Sequence, residues 1–178
     1  RVPHAQPGRQ QHASGAGRRA RRPLMVVFCA TCRCGLRAYA RKDLGLAMDE
    51  LGPWRENLVS LAELLGDTTF EIGQAAPPAV RYHRPCHGAG GNQDLSLLRR
   101  IMGERLIFRE NETPCCGFGG LTKLTHPDLS EAVAKNALAV YAPKPGEQIV
   151  TGCSGCVTQL RAAAPDGVGV GHWLETIG

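Results

Sequence analysis

The sequence predicts an α/β fold: a Rossmann-like parallel sheet with crossover helices and cysteine loops at the carboxyl ends of the strands. Three observations predict it. Short β-branched apolar runs alternate three or four times with segments of helical spacing along the 178 residues, which is how βαβ units read. Apolar residues make up 43% of the chain and aromatics 5%, so the core must be built from Leu, Val, Ile and Ala. Each cysteine group falls just after a predicted strand, and in open parallel sheets that edge is where ligands sit.

Taken in order, residues 1–23 carry Arg1, Arg9, Arg18, Arg19, Arg21 and Arg22, no acid and no periodicity. They read as a disordered basic tail. Removing its six arginines from the 21 basic residues leaves 15 against 16 acidic ones. The net charge of +5 therefore belongs to the tail rather than to a folded surface. With few aromatic platforms as well, no nucleic-acid partner is expected.

Leu24 to Phe28 predicts a buried strand that runs into Cys29-Ala-Thr-Cys32, and Leu36 to Tyr39 predicts a helix. Leu58, Leu61, Ala62 and Leu65 have helical spacing, with Gly66 as a stop. Residues 74–78 read as linker. Ala79 to His83 predicts a strand ending in Pro85-Cys86, and Leu95, Leu98 and Met102 mark a helix ended near Gly103. Arg105 to Arg109 predicts a strand leading to Pro114-Cys115-Cys116-Gly117-Phe118-Gly119-Gly120. A helix is expected over Pro127 to Val140, opened by its proline. Gln148 to Thr151 predicts a strand that enters Cys153-Ser-Gly-Cys156, followed by helix through Leu160. Val168 to Val170 is a last short strand before His172.

The chain also repeats itself. With Cys29 set on Cys153 and Cys32 on Cys156, Leu36-Arg37-Ala38 falls on Leu160-Arg161-Ala162 without a gap. Two copies of one module are expected, the first truncated upstream. The boundaries are a tail over 1–23, a C-terminal remnant of a first module over 24–73, and a complete module over 74–178.

Eight cysteines, two C-x2-C pairs and an adjacent pair among them, read as metal or redox chemistry in a reducing compartment. The N-terminus lacks the apolar run of a secretory signal, and no stretch has the length of a membrane span. A cytoplasmic protein is expected. Thiolates are soft ligands that suit iron–sulfur clusters, zinc and copper(I). The set Cys86, Cys115, Cys116, Cys153 and Cys156 exceeds the four ligands of a closed zinc site and of an ordinary cluster. That excess points to a non-standard cluster, or to one cysteine kept for redox work. Gly117, Gly119 and Gly120 let the backbone wrap the ligands, and their N–H groups are available to sulfur. His83 and His87 flank Cys86 and read as polar residues at a strand end; His172 reads as a helix-start residue. Cys34 is a spare thiol, and Cys29 and Cys32 read as the remainder of an incomplete site. No Ser-His-Asp set, P-loop or strand-borne GxGxxG is present.

The set P-C-H (85–87), C-C-G-x-G-G (115–120) and C-x2-C (153–156) resembles the cysteine-rich CCG domain. That family includes a subunit of heterodisulfide reductase and the iron–sulfur subunits of glycolate and lactate oxidation complexes. The resemblance covers 79–178 well and 24–66 as the tail of a preceding copy. It implies a Rossmann-like domain in which Cys86, Cys115, Cys116, Cys153 and Cys156 hold a [4Fe-4S] cluster, of non-cubane form in the heterodisulfide reductase branch. Zinc is the alternative, bound by some related domains. The expected function is an electron-transfer module or subunit of an oxidoreductase complex, rather than a complete enzyme, with no catalytic side chain assigned. Its expected partner is a flavoprotein or other redox subunit, through which it would reach the inner face of a membrane. The competing functions are a thiol–disulfide reductase using the cluster and a zinc-stabilised structural domain. The ferredoxin-like C-x2-C-x2-C-x3-C segments usual in the glycolate and lactate branch are absent from this chain.

Overall fold

The computed structural model describes residues 24–39, 52, 56–73, 76–88 and 93–177. The expected basic tail lies outside the described residues. Among the described residues all strands run parallel, in two sheets. In the smaller one β1 (Met25–Val27) pairs with β2 (Leu58–Ser60), after a crossover that contains α1 (Ala30–Tyr39). A short α2 (Leu61–Leu64) follows, its first turn capped by the Ser60 hydroxyl, which accepts from the Glu63 N–H at 3.1 Å. The larger sheet has four strands: β3 (Val80–His83), β4 (Leu106–Ile107), β5 (Gln148–Thr151) and β6 (Gly169–His172). Their spatial order is β4-β3-β5-β6.

That order decides where a ligand can sit. The chain leaves β3 through α3 (Gln93–Met102) and lays β4 on its outer side. It then returns past β3, through α4 (Leu121–Thr125) and α5 (Pro127–Tyr141), to lay β5 on the other side. From β5 it continues through α6 (Ser154–Ala163) to β6. The winding therefore reverses between β3 and β5, and the crevice beyond their carboxyl ends is the switch point of the sheet.

Strand periodicity splits the core between the two faces. Ile149 and Val170 pack with Ala137, Leu138 and Tyr141 of α5 and Leu160 of α6. Val80, Tyr82 and Val150 pack on the opposite face with Leu95, Leu98 and Met102 of α3 and with Trp173. Trp173 is fully buried, so truncating it to Ala would cost about 3–5 kcal/mol.

The expected α/β fold is what forms, with four local differences. Leu58 is not helical; Leu58–Ser60 is a strand, and helix begins only at Leu61. The i, i+3 apolar spacing there spans a strand-to-helix junction that Ser60 caps. Helix α1 starts at Ala30, so Cys32 and Cys34 lie within it rather than before it. Strand β4 has two residues, not five. The segment Leu121–Thr125, not anticipated, forms one short helix.

The internal repeat extends to register. In the first copy Val27 pairs with Ser60; in the second, Thr151 pairs with His172. Each of Val27 and Thr151 stands two residues before the first cysteine of its C-x2-C. Each of Ser60 and His172 caps the helical turn that follows its strand. The two copies meet at these strand ends: the Ala30 N–H donates to the Gly152 carbonyl at 2.7 Å, and His172 Nε2 lies 3.0 Å from the Phe28 carbonyl.

Candidate metal centre

Three strand ends deliver thiols to the switch point. Strand β3 is followed by Cys86, which opens a 3-10 turn over Cys86–Gly88 and is exposed. The loop after β4 carries Cys115, exposed, and Cys116, buried. Strand β5 leads directly to Cys153, at the N-terminal boundary of α6, and to Cys156 in its first turn; both are buried. Cys86, Cys115, Cys116 and Cys156 line one cavity of about 280 Å³. The Cys116 and Cys156 sulfurs are 3.1 Å apart. Cys153 belongs to the same buried cluster as Cys116 and Cys156, its own sulfur lying 3.1 Å from the Thr31 hydroxyl.

The adjacent pair is held by packing as well as by chain geometry. Gly117 has φ +83°, and a Cβ there would run into the Ser130 carbonyl of α5. Only glycine gives both that conformation and that approach. The Ser130 hydroxyl donates to the Gly117 carbonyl at 2.6 Å, and the Gln159 amide of α6 donates to the Ser130 carbonyl at 3.0 Å. The loop is thus stapled to both helices on that face. Phe118 lies against Gly155, where a Cβ would come within 3.0 Å of the ring, so the Cys-Cys-Gly-Phe loop and the second C-x2-C turn interlock. The Gly117 N–H donates to Cys115 Sγ at 3.4 Å.

Electrostatics follow from that crowding. The Cys156 thiol is driven far up by Cys116, by Cys153 and by burial. Cys116 is lowered to about 5, first by Cys156 and then by His83 and the Phe118 N–H, against burial. Cys153 is lowered to about 4 by Cys156, assisted by Thr31 and by the N–H groups of Cys156 and Gly155. Cys116 and Cys153 are thus pushed towards the thiolate form, which is the form that ligates metals. Cys86 is raised by burial and by the nearby Cys115.

The other singled-out residues separate. Buried His83 (1% exposed) joins Cys116 and Cys156, their donor atoms lying within 4.8 Å of one another. His87 is exposed, its Nδ1 lying 3.2 Å from the Thr31 hydroxyl. His172 caps the last turn, and its Nε2 lies 3.0 Å from the Phe28 carbonyl. Cys29 is buried against the cysteine cluster, whereas Cys32 and Cys34 are exposed. The sequence reading missed Thr31, Ser130, Tyr141 and Gln159. Ser130 and Gln159 show no local signal; Tyr141 ends a helix whose apolar positions are otherwise aliphatic.

Comparison with known proteins gives this arrangement a context. Residues 80–161 match the CCG family, described as a cysteine-rich domain. The glycolate oxidase iron–sulfur subunit of Escherichia coli K12 is 31% identical over 141 residues, 76% of this chain and 34% of that protein. Lactate utilization protein A of Oceanobacillus iheyensis is 28% identical over 104 residues, 56% of this chain and 42% of that protein. The chain thus spans well under half the length of these relatives.

Proposed function

Residues 80–161 are a cysteine-rich domain of the CCG family, and from that premise we propose that the chain is an iron–sulfur electron-transfer module of an oxidoreductase complex. The observation that carries the reading is convergence: cysteines up to 70 positions apart, from Cys86 to Cys156, meet at the switch point around one cavity. The ligands are Cys86, Cys115, Cys116, Cys153 and Cys156. Five soft donors suit a [4Fe-4S] cluster, and their excess over four favours a non-cubane form. Such a group supplies one-electron exchange.

The chain's own residues do the rest. Buried Cys116, Cys153 and Cys156 keep water from the inner sulfurs, while exposed Cys86 and Cys115 form the rim that a partner would meet. The N–H of Gly117 supports Cys115, and hydrogen bonds to sulfur are a lever on potential. The relatives' names, a glycolate oxidase iron–sulfur subunit and a lactate utilization protein, support an assembly that acts on a 2-hydroxy acid, and the partner proposed is a flavoprotein or other redox subunit. No helix among the described residues is long and apolar enough to cross a membrane; a cytoplasmic location, at the membrane's inner face through partners, completes the proposal. Residues 74–178 constitute the complete module and 24–73 the end of a preceding copy, a division supported by the shared strand register.

Anaerobic purification with iron, zinc and acid-labile sulfide assays, beside EPR of oxidised and reduced protein, tests this. About four irons and four sulfides per chain, lost in Cys116→Ser, are expected. One zinc without sulfide would assign the same thiols, with His83 as a nitrogen donor, to a structural site.

A further inference from the structure

His83 is a buried polar residue to which the electron-transfer reading assigns no role. Alternation along β3 sends Val80 and Tyr82 to the α3 face, so His83 faces α5 and α6, at the carboxyl end of its strand. There its Nδ1 lies 2.7 Å from the hydroxyl of Tyr141, on the last turn of α5. The two rings meet edge to face, centroids 5.9 Å apart. Tyr141 is itself buried, and burial holds its hydroxyl in the protonated state. Among the described residues His83 is the hydrogen-bond partner of that hydroxyl, so the Tyr141 O–H donates to Nδ1. An imidazole whose Nδ1 accepts carries its proton on Nε2. The ring shares its buried pocket with the Cys116 and Cys156 sulfurs, the ligand atoms of the three residues lying within 4.8 Å of one another.

We propose that His83 is a positioning residue, fixed by Tyr141 in its Nε2–H tautomer, that donates a hydrogen bond to the Cys116 sulfur and raises the reduction potential of the group the cysteines hold. The inference rests on the iron–sulfur reading for its second half only. A donor to a ligating sulfur stabilises the extra negative charge of the reduced state, so the potential rises with the bond and falls without it. The arrangement is a relay of orientation: a hydroxyl fixes a ring, and the ring fixes a sulfur.

The first half is tested without iron. Long-range proton–nitrogen correlation on the ¹⁵N-labelled full apo-chain should show His83 with a protonated Nε2 and a bare Nδ1. A protonated Nδ1 overturns the proposal. The second half is tested on the loaded protein by redox titration. His83→Leu should shift the reduction equilibrium about tenfold towards the oxidised form, about 59 mV for a one-electron couple, with iron content unchanged. Tyr141→Phe, which frees the tautomer, should give a smaller shift in the same direction. His83→Gln, whose amide still donates, should recover most of the wild-type potential. Equal potentials in wild type and His83→Leu overturn the proposal, as does ¹⁴N hyperfine coupling large enough to make His83 a direct ligand. A wild type that loads no iron fails the iron–sulfur reading instead, and the apo measurement still decides the tautomer.

Discussion

Cys29–Cys32 and Cys153–Cys156 leave their strands at the same point, on strands paired in the same register with a partner that ends in a capped turn. Their surroundings differ. Strand β5 is central, with β3 on one side and β6 on the other, and the 115–120 loop closes over the start of α6. Among the described residues β1 has β2 alone. As a result Cys156 is buried beside Cys116 and Cys153, which are both pushed towards the thiolate form, whereas Cys32 is exposed and its thiol is raised, chiefly by its contact with Cys29. One local sequence gives one local structure twice; the neighbouring strands and loop decide which copy becomes a thiolate pocket.

Substitutions that break this contrast should be graded. The largest effect is on metal content: Cys156→Ser should abolish iron and sulfide, while Cys32→Ser should leave both near wild type, as elemental analysis will show. Loss of iron in both variants would mean that the copies share one site. Next comes a pair of glycines. Gly117→Ala meets the Ser130 carbonyl in a left-handed conformation and should cost roughly 4 kcal/mol in denaturant unfolding. Gly35→Ala, within α1 with nothing inside 4 Å of the new Cβ, should stabilise by about 0.5 kcal/mol.

A third effect is one of pH. Asp94, at the start of α3, is raised from 3.8 to about 6 by burial, against the pull of Tyr82 and of Arg33 from the first copy. The folded state thus holds this proton more tightly than the unfolded chain. Its contribution is complete below about pH 4 and is lost as pH rises through about 6, up to about 3 kcal/mol in all. Unfolding curves of Asp94→Asn should lack that decline between pH 4 and 6; an unchanged decline would place its origin elsewhere. The smallest effect is Thr31→Val, which removes the hydroxyl from Cys153 and should cost about 1 kcal/mol, visible as a lower unfolding midpoint.

The parallel sheet is legible in the sequence because β3, β5 and β6 are short apolar runs closed by turn residues, and buried strands need little else. Leu58–Ser60 is not, because three residues carry no period of their own and the following helix lends them its spacing. The cysteines stand out as a group by type and spacing alone. Which of them meet does not, since that depends on the reversal of winding between β3 and β5. His83 has a readable trace, the alternation that puts it opposite Val80 and Tyr82, but its partner Tyr141 is 58 residues away and brought there by α5. Contacts of that range are written in packing, not in local pattern.

The 3.1 Å between Cys116 and Cys156 also sets a clock on the newly made chain. Sulfurs so close, one of them ionised, need move only about an ångström to bond. An oxidant reaching this thiol–thiolate pair takes two electrons and one proton, leaves a disulfide, and removes two thiols from the candidate site at once. A preparation made in air should therefore contain this pair as a disulfide, and one made without oxygen should contain it as free thiols.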